Sequence, residues 1–121
     1  MPGPFVFLIR DWAGRDIGLE ESSWERHIKR RRHWNDDQML PLIRQTIQDP
    51  DAAFESQQHT RRTEIWRRFD DVKDGQPGFV QVIVEYDGPF TSATSGDVRT
   101  AMISNAIDST GRRLWGGWTL R

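Results

Sequence analysis

The chain of 121 residues contains no cysteine and a single tyrosine. Without cysteine there is no disulfide, no thiolate site for zinc or an iron–sulfur cluster, and no cysteine nucleophile. No apolar run approaches the roughly 20 residues that a transmembrane helix needs, and the run within residues 1–10 is too short and too poorly flanked for a signal peptide. With no export signal, either the protein works inside the cell or another machine carries it out. We expect a cytoplasmic protein that does not contact membranes.

The net charge is also close to zero, at -1, although 29% of the residues are charged. Only 36% are hydrophobic, and the mean hydropathy is -0.74. Disorder usually accompanies high net charge and few aromatic residues. Here six tryptophans and six phenylalanines supply large apolar surfaces for a core. Length and composition therefore predict a single folded domain over residues 1–121 with a polar surface.

The charged residues are grouped in blocks of alternating sign. Residues 22–34 carry five basic and one acidic side chains, residues 35–57 carry one basic and five acidic, and residues 61–68 carry four basic and one acidic. The two basic blocks could meet in a positive face for phosphate groups. Solvated helix faces with ordinary ion pairs would give the same pattern, so the charge pattern leaves both interpretations open.

Hydrophobic periodicity predicts two short strands, two helices and then an antiparallel meander. In order, we predict strands at 5–9 and 16–19, helices from about residue 23 and over 35–48, and strands at 62–69, 79–86 and 98–103. Capping-box patterns mark both helix starts, and Pro41 indicates either a kink or a late start of the second helix. Because helices and strands are segregated along the chain, the pattern favours an α+β fold with the helices on one sheet face.

The segment Trp24–His33 holds the densest set of groups that could carry chemistry. On a helix, Trp24 and Ile28 form the buried stripe, and His27 and Arg31 flank its edge one turn apart. Histidine moves a proton near neutral pH and arginine grips phosphate with two hydrogen bonds, so this pair suits work on a phosphodiester. A histidine at such a border can equally be a packed structural residue.

Other chemistries have less support in the sequence. There is no glycine-rich phosphate loop, and His27 and His33 are too far apart in sequence to ligate one metal from one helical face. We therefore expect no metal and no other cofactor. The tail Arg112–Trp118 could stack single-stranded nucleic acid, or its tryptophans could dock the tail onto the core, which is the interpretation we favour.

The order of the motifs resembles a family of small phage and mobile-element proteins grouped with the barnase–EndoU–colicin–RelE (BECR) ribonucleases. The segments that carry the resemblance are Asp11–Gly14, Trp24–His33, Thr46–Asp51, Val98–Ala101 and Gly111–Trp115. They span nearly the whole chain. The resemblance implies an α+β fold in which two N-terminal helices pack on an antiparallel sheet of about four strands, here preceded by a short N-terminal β-hairpin.

The resemblance also implies which residues form the site. His27 matches the family's helix histidine, and Thr100 matches the threonine of its last strand. Arg31, Arg32 or an arginine of the sheet would bind the phosphate. We thus predict catalytic roles for His27, Arg31 and Thr100. The residues predicted to bind nucleic acid are Arg30, Arg32, Arg67, Arg68 and Arg99.

We expect from this a metal-independent, toxin-like endoribonuclease. His27 would take the proton of a ribose 2′-OH, and Arg31 with a sheet arginine would stabilise the phosphoryl oxygens, leaving a 2′,3′-cyclic phosphate. RNA is the expected partner, and an acidic antitoxin or immunity protein is a second one. The alternative is a non-catalytic module of the same fold that binds nucleic acid or protein.

Overall fold

The computed structural model describes residues 4–30, 36–57, 59, 61–107 and 111–116. Two strands come first, two helical segments follow, and the remainder of the described chain contains strands alone. The elements are β1 (Phe5–Arg10), β2 (Asp16–Glu20), α1 (Glu21–Ser23) continued by a π-helix (Trp24–Lys29), α2 (Asp36–Gln48), β3 (Ala52–Glu55), β4 (Arg62–Lys73), β5 (Gln76–Tyr86), β6 (Ser95–Ser104) and β7 (Arg113–Trp115).

Within the described residues, the seven strands form one mixed sheet in the order β1-β2-β6-β5-β4-β3-β7. β2 runs parallel to β6, whereas the other neighbouring pairs are antiparallel. The centre of the sheet is the long β4–β5 hairpin. Its two-residue turn, Asp74-Gly75, has φ values of 53° and 77°. A tight two-residue hairpin turn requires positive φ at both of its residues, and an Asp-Gly pair tolerates this conformation. Asp74-Gly75 therefore fixes where β4 ends and β5 begins.

One face of the sheet and the helical segments enclose the hydrophobic core. Alternate residues of β4, β5 and β6 point to this core face, because successive side chains of a strand lie on opposite sides. The core side chains of these strands include Ile65, Val80, Val82, Val84, Val98 and Ala101, and the helical segments contribute Trp24, Ile28, Met39, Ile43 and Ile47. The other face of the sheet is called here the open face.

The predicted fold class, an α+β arrangement of two N-terminal helices packed on an antiparallel sheet, is wrong, whereas the predicted short N-terminal β-hairpin is confirmed by the antiparallel β1–β2 pair. The described chain is mainly a seven-stranded mixed sheet, its helical segments are short, and the first winds as a π-helix over Trp24–Lys29. Periodicity did not reveal the short strands β3 and β7, which have four and three residues. It also could not reveal the parallel β2–β6 pair, because that pairing joins segments distant in sequence.

No helix in the described part of the chain is both long and apolar enough to cross a membrane.

Candidate active site

Polar side chains lie in neighbouring positions on the open face, across β4, β5 and β6. The strand register places Glu64 opposite Ile83 and Ile83 opposite Thr100, so these residues form one row across the sheet. Arg62 and Gln81 are each two residues away along β4 and β5, and therefore project from the same face. A row of this kind does not serve a hydrophobic core.

A cavity of about 320 Å³ opens over this row. The residues that line it are Ser56, Gln57, His59, Arg62, Glu64, Gln81, Ile83 and Thr100. His59 reaches the cavity from the loop between β3 and β4. Two backbone hydrogen bonds close that loop: the Arg62 N–H donates to the His59 carbonyl (3.2 Å), and the Ser56 N–H donates to the Arg62 carbonyl (3.0 Å). The fold thus brings an imidazole, a carboxylate and a guanidinium around one hollow.

Glu64 has the most unusual environment in this cavity. Its Oε1 atom is buried and has no hydrogen-bond partner in the described chain. The residues opposite it are Phe54 on β3 and Ile83 on β5, and neither has a side-chain donor. A buried acceptor without a donor costs about 1–3 kcal/mol. Glu64 thus brings a carboxylate with an unsatisfied acceptor to the lining of the cavity.

Arg62 is oriented by Glu85, its neighbour on β5. The Arg62 Nε donates to Glu85 Oε1 at 2.9 Å. This hydrogen bond lowers the pKa of the Glu85 carboxyl below its ordinary value, and the charge of Arg99 acts in the same direction. Among the described residues, nothing hydrogen-bonds the two terminal nitrogens of Arg62. The guanidinium can therefore present them to phosphate oxygens.

An acidic group lies beside this ion pair on β6. Asp97 is opposite Glu85 in the strand register. Burial raises the pKa of Asp97, and the charge of Glu20 raises it further, whereas Arg99 opposes the shift. Arg99 is the additional residue of a β-bulge that precedes Thr100. Two arginines, Arg62 and Arg99, therefore lie next to two carboxylates, Glu85 and Asp97, at this end of the open face.

The structure separates two of the predicted catalytic residues. Thr100 lines the cavity. His27 does not, since it is exposed on the π-helix, whose Trp24 and Ile28 side chains pack on the core side of the sheet. The sheet therefore lies between His27 and Thr100. Arg31 is outside the described residues, and the wider winding of a π-helix changes the angle on which its pairing with His27 was based.

Two arginines predicted to bind RNA have partners within the protein. The Arg67 Nε donates to the Asp49 carbonyl at 2.9 Å, and its guanidinium lies 4.7 Å from the ring centroid of Phe69. The Arg68 Nη1 donates to Asp70 Oδ1 at 2.7 Å. Arg67 therefore fastens β4 to the end of α2, while Arg68 belongs to an exposed ion pair.

The other predicted RNA-binding arginines lie in different regions. Arg30 is exposed at the end of the first helical segment. Arg32 is outside the described residues. Arg99 precedes Thr100 and acts electrostatically on the carboxyls of Glu85 and Asp97. Of the described members of the set, Arg99 is thus the one next to the cavity.

Sequence reasoning did not select His59, Arg62, Glu64 or Gln81 as catalytic residues. Three of them gave a signal: Arg62 and Glu64 occupy alternate positions of β4 on the face away from its core residues, and Gln81 interrupts the apolar run 79–84. Polar residues repeated on one side of buried strands mark a face with another role than packing. His59 gave no local signal, because only the loop fold brings it to the cavity.

In the described part of the chain, no group of three or more histidine, aspartate or glutamate side chains could hold a metal ion. Comparisons of the chain with protein-family models, with curated proteins and with solved structures found no match.

Proposed function

We propose that this protein is a metal-independent endoribonuclease whose active site is the open-face cavity. The observation that carries the proposal is the buried, partnerless Oε1 of Glu64 in the same cavity as His59 and Arg62. A base, an acid and a fixed positive charge are the groups that transesterification of a phosphodiester requires. RNA is the substrate because this reaction uses a ribose 2′-OH.

In the proposed reaction, the Glu64 carboxylate takes the proton of the 2′-OH, and the 2′-oxygen forms a bond to the adjacent phosphorus. Arg62 stabilises the negative charge that grows on the non-bridging oxygens. The bond between phosphorus and the 5′-oxygen then breaks, and His59, as the imidazolium, protonates that oxygen. The products are a 2′,3′-cyclic phosphate and a 5′-hydroxyl.

Gln81 and Thr100 have positioning roles in this proposal. The Thr100 hydroxyl can both donate and accept a hydrogen bond, and the Gln81 amide offers an acceptor and two donors. Gln81 is 7% exposed, so strand packing restrains its side chain. Both residues line the cavity together with Glu64, so they can hold the ribose or the phosphate close to the Glu64 carboxylate.

The test is cleavage of a defined oligoribonucleotide in excess EDTA. We expect wild-type protein to cleave it and to leave a 2′,3′-cyclic phosphate, and we expect a substrate with a 2′-deoxyribose at the cleaved position to resist. The Glu64→Gln and His59→Gln variants should each lose about 10²- to 10⁴-fold in rate, the usual contribution of positioned proton transfer. The exposed Glu25→Gln variant is the matched control and should cleave like wild type.

Three outcomes would contradict the proposal. One is loss of all cleavage on chelation, and another is undiminished cleavage by Glu64→Gln. The third is a loss confined to a His27→Ala variant, which would move the acid–base role from His59 to the helix.

A non-catalytic RNA-binding protein is the second candidate. It is favoured by the hydrogen bond from Arg62 to Glu85, which neutralises part of the positive charge that a transition state would use. Salt-dependent RNA binding without any product would favour this candidate over the enzyme. In either case an acidic antitoxin that covers Arg62 and His59 would compete with RNA.

A further inference from the structure

We infer that the protein has a second RNA subsite, in which a base outside the cleaved bond stacks in an aromatic groove formed by Trp12, Phe90 and Trp115. The groove has a volume of about 640 Å³, and Arg15, Arg112 and Arg113 also line it. This inference deepens the proposed function and rests on it for the identity of the ligand as RNA.

The rings of the groove come from three separate segments. Trp12 lies in the β1–β2 turn, Phe90 follows β5, and Trp115 belongs to β7. The centroid of the Trp12 ring is 5.3 Å from that of Trp115 and 5.9 Å from that of Phe90, with interplanar angles of 47° and 35°. Trp115 remains 38% exposed, so part of its ring is accessible to a ligand. The rings therefore line the groove without filling it.

Arg15 supports these rings. Its guanidinium carbon lies 4.1 Å from the ring centroid of Phe90 and 4.9 Å from that of Trp12. Its Nε pairs with Asp11 Oδ2 at 2.7 Å, and its Nη1 donates to the Phe90 carbonyl at 2.9 Å. Its Nη2 is buried without a hydrogen-bond partner in the described chain. Arg15, whose charge is balanced by Asp11, thus holds the rings of Trp12 and Phe90 in place at the floor of the groove.

The groove continues toward the proposed active site. A smaller cavity of about 180 Å³ shares Phe90, Arg112 and Leu114 with the groove, and it shares Arg62 with the active-site cavity. Arg61 also lines this connecting cavity. This smaller cavity, called here the connecting cavity, therefore borders both the groove and the active-site cavity.

The charges along this surface suit a polyanion with flat bases. Arg61, Arg112 and Arg113 are exposed along it. Glu55 is the acidic residue that lines the connecting cavity, and it accepts a hydrogen bond from Arg112 Nη2 at 2.9 Å. Aromatic faces that stack bases, next to cations that track phosphates, are the means by which proteins bind single-stranded nucleic acid. The arrangement points to single-stranded RNA as the occupant.

The first experiment uses the wild-type protein and a 2′-O-methyl octanucleotide, which cannot be cleaved. A single abasic site is moved along the oligonucleotide, and the dissociation constant is measured by fluorescence anisotropy. We expect one position away from the protein's cleavage site at which loss of the base weakens binding about 5- to 150-fold, the range for one stacked base. A uniform response at every position would overturn the inference.

The second experiment compares a Trp115→Leu variant with a Leu8→Ala control. Leu8 is another exposed apolar residue, 63% exposed on β1. We expect Trp115→Leu to weaken octanucleotide binding about 5- to 150-fold and to abolish the dependence on the abasic position. Leu8→Ala should bind like wild type. Polyphosphate, which has no bases, should bind equally to wild type and to Trp115→Leu.

The failures of the two proposals are distinguishable. Base-dependent binding at one position without any cleavage would contradict the ribonuclease and leave the stacking subsite in place. Equal binding by Trp115→Leu and wild type would overturn the subsite, whether or not RNA is cleaved. An equal loss of polyphosphate and RNA binding in Trp115→Leu would overturn it too, because stacking would not be the property that was removed.

Discussion

Two carboxylates in this protein, Asp11 and Glu64, have opposite surroundings. Asp11 Oδ1 accepts the backbone N–H groups of Ala13 and Arg15, both at 2.9 Å. Its Oδ2 accepts Arg15 Nε at 2.7 Å and the Tyr86 hydroxyl at 3.3 Å. Glu64 Oε1 is also buried, but it has no hydrogen-bond partner in the described chain.

The difference separates a structural carboxylate from one that is suited to chemistry. Asp11 fixes the β1–β2 turn to Arg15 and to the end of β5, and every acceptor site in the cluster is used. Burial raises the pKa of Tyr86, and the Asp11 charge raises it further although Arg15 opposes it, so the phenol stays protonated as a donor. Glu64 instead keeps one acceptor without a donor, and that arrangement costs stability unless a ligand supplies the donor.

The largest expected effect on stability is that of Asp11→Asn. The asparagine amide would place a donor against the donor Arg15 Nε and leave a buried guanidinium without its counter-ion. The side chains of this pair are 0% and 7% exposed, so solvent cannot compensate. We expect a loss of about 3–5 kcal/mol in the free energy of unfolding, measured by urea denaturation.

The control for this substitution is Asp70→Asn. The Asp70 pair with Arg68 has the same 2.7 Å separation, but its side chains are 51% and 96% exposed. An exposed pair contributes about 0–1 kcal/mol. If Asp11→Asn and Asp70→Asn lost equal stability, the structural role assigned to Asp11 would be wrong.

The next prediction concerns the stability of Glu64→Gln, which, unlike Asp11→Asn, should not unfold more easily than wild type. Because no hydrogen bond to Oε1 is lost and the buried charge is removed, the free energy of unfolding should stay within about 0.5 kcal/mol of wild type or rise. The cleavage rate of the same variant should fall as described above. A loss of more than about 1 kcal/mol in urea denaturation would show that Glu64 is a structural carboxylate like Asp11.

The smallest effect is the pH dependence at Asp97. Its raised pKa means that the ionised carboxyl destabilises the folded state. This penalty is complete above the raised pKa and disappears as the pH falls through it toward the ordinary value of 3.8. Asp97→Asn should therefore gain up to about 0.5 kcal/mol at pH 7 and nothing near pH 3, as measured by urea denaturation at both values.

Asp87→Asn is the matched control for Asp97→Asn and has the opposite sign. A hydrogen bond from the Thr94 hydroxyl lowers the pKa of Asp87, so its ionised form stabilises the protein above the ordinary value of 3.8. That contribution is lost as the pH falls through the lowered pKa. Asp87→Asn should thus be less stable than wild type at pH 7. If both variants were more stable than wild type at pH 7, or both less stable, the cause given for one of the two pKa shifts would be wrong.

Much of the strand content was predictable from the sequence. The predicted strands at 5–9, 16–19, 62–69, 79–86 and 98–103 are confirmed, although β4, β5 and β6 extend several residues further. In these strands, apolar and polar residues alternate or apolar residues follow one another, and both patterns are visible in consecutive residues. β3 and β7 were missed because strands of four and three residues are too short to show a period of two. The fold class was wrong because it depends on which strands meet.

The candidate site was predictable only in part. Thr100 was selected by the resemblance and lies in the cavity, whereas the histidine in the cavity is His59. His27 and His59 cannot be ranked by local pattern, because one lies on a helical segment and the other in a loop. The catalytic role of each stays a prediction that the cleavage experiment tests.

The sequence by itself determined where the five longer strands lie, because strand periodicity is carried by adjacent residues. Only the tertiary structure decided the order of those strands and the parallel contact of β2 with β6. Strand order depends on pairing between distant segments, whose free energy belongs to the whole sheet rather than to any one stretch. Glu64 and His59 likewise line the same cavity only because the β3–β4 loop folds over the open face, which neither residue's local sequence determines.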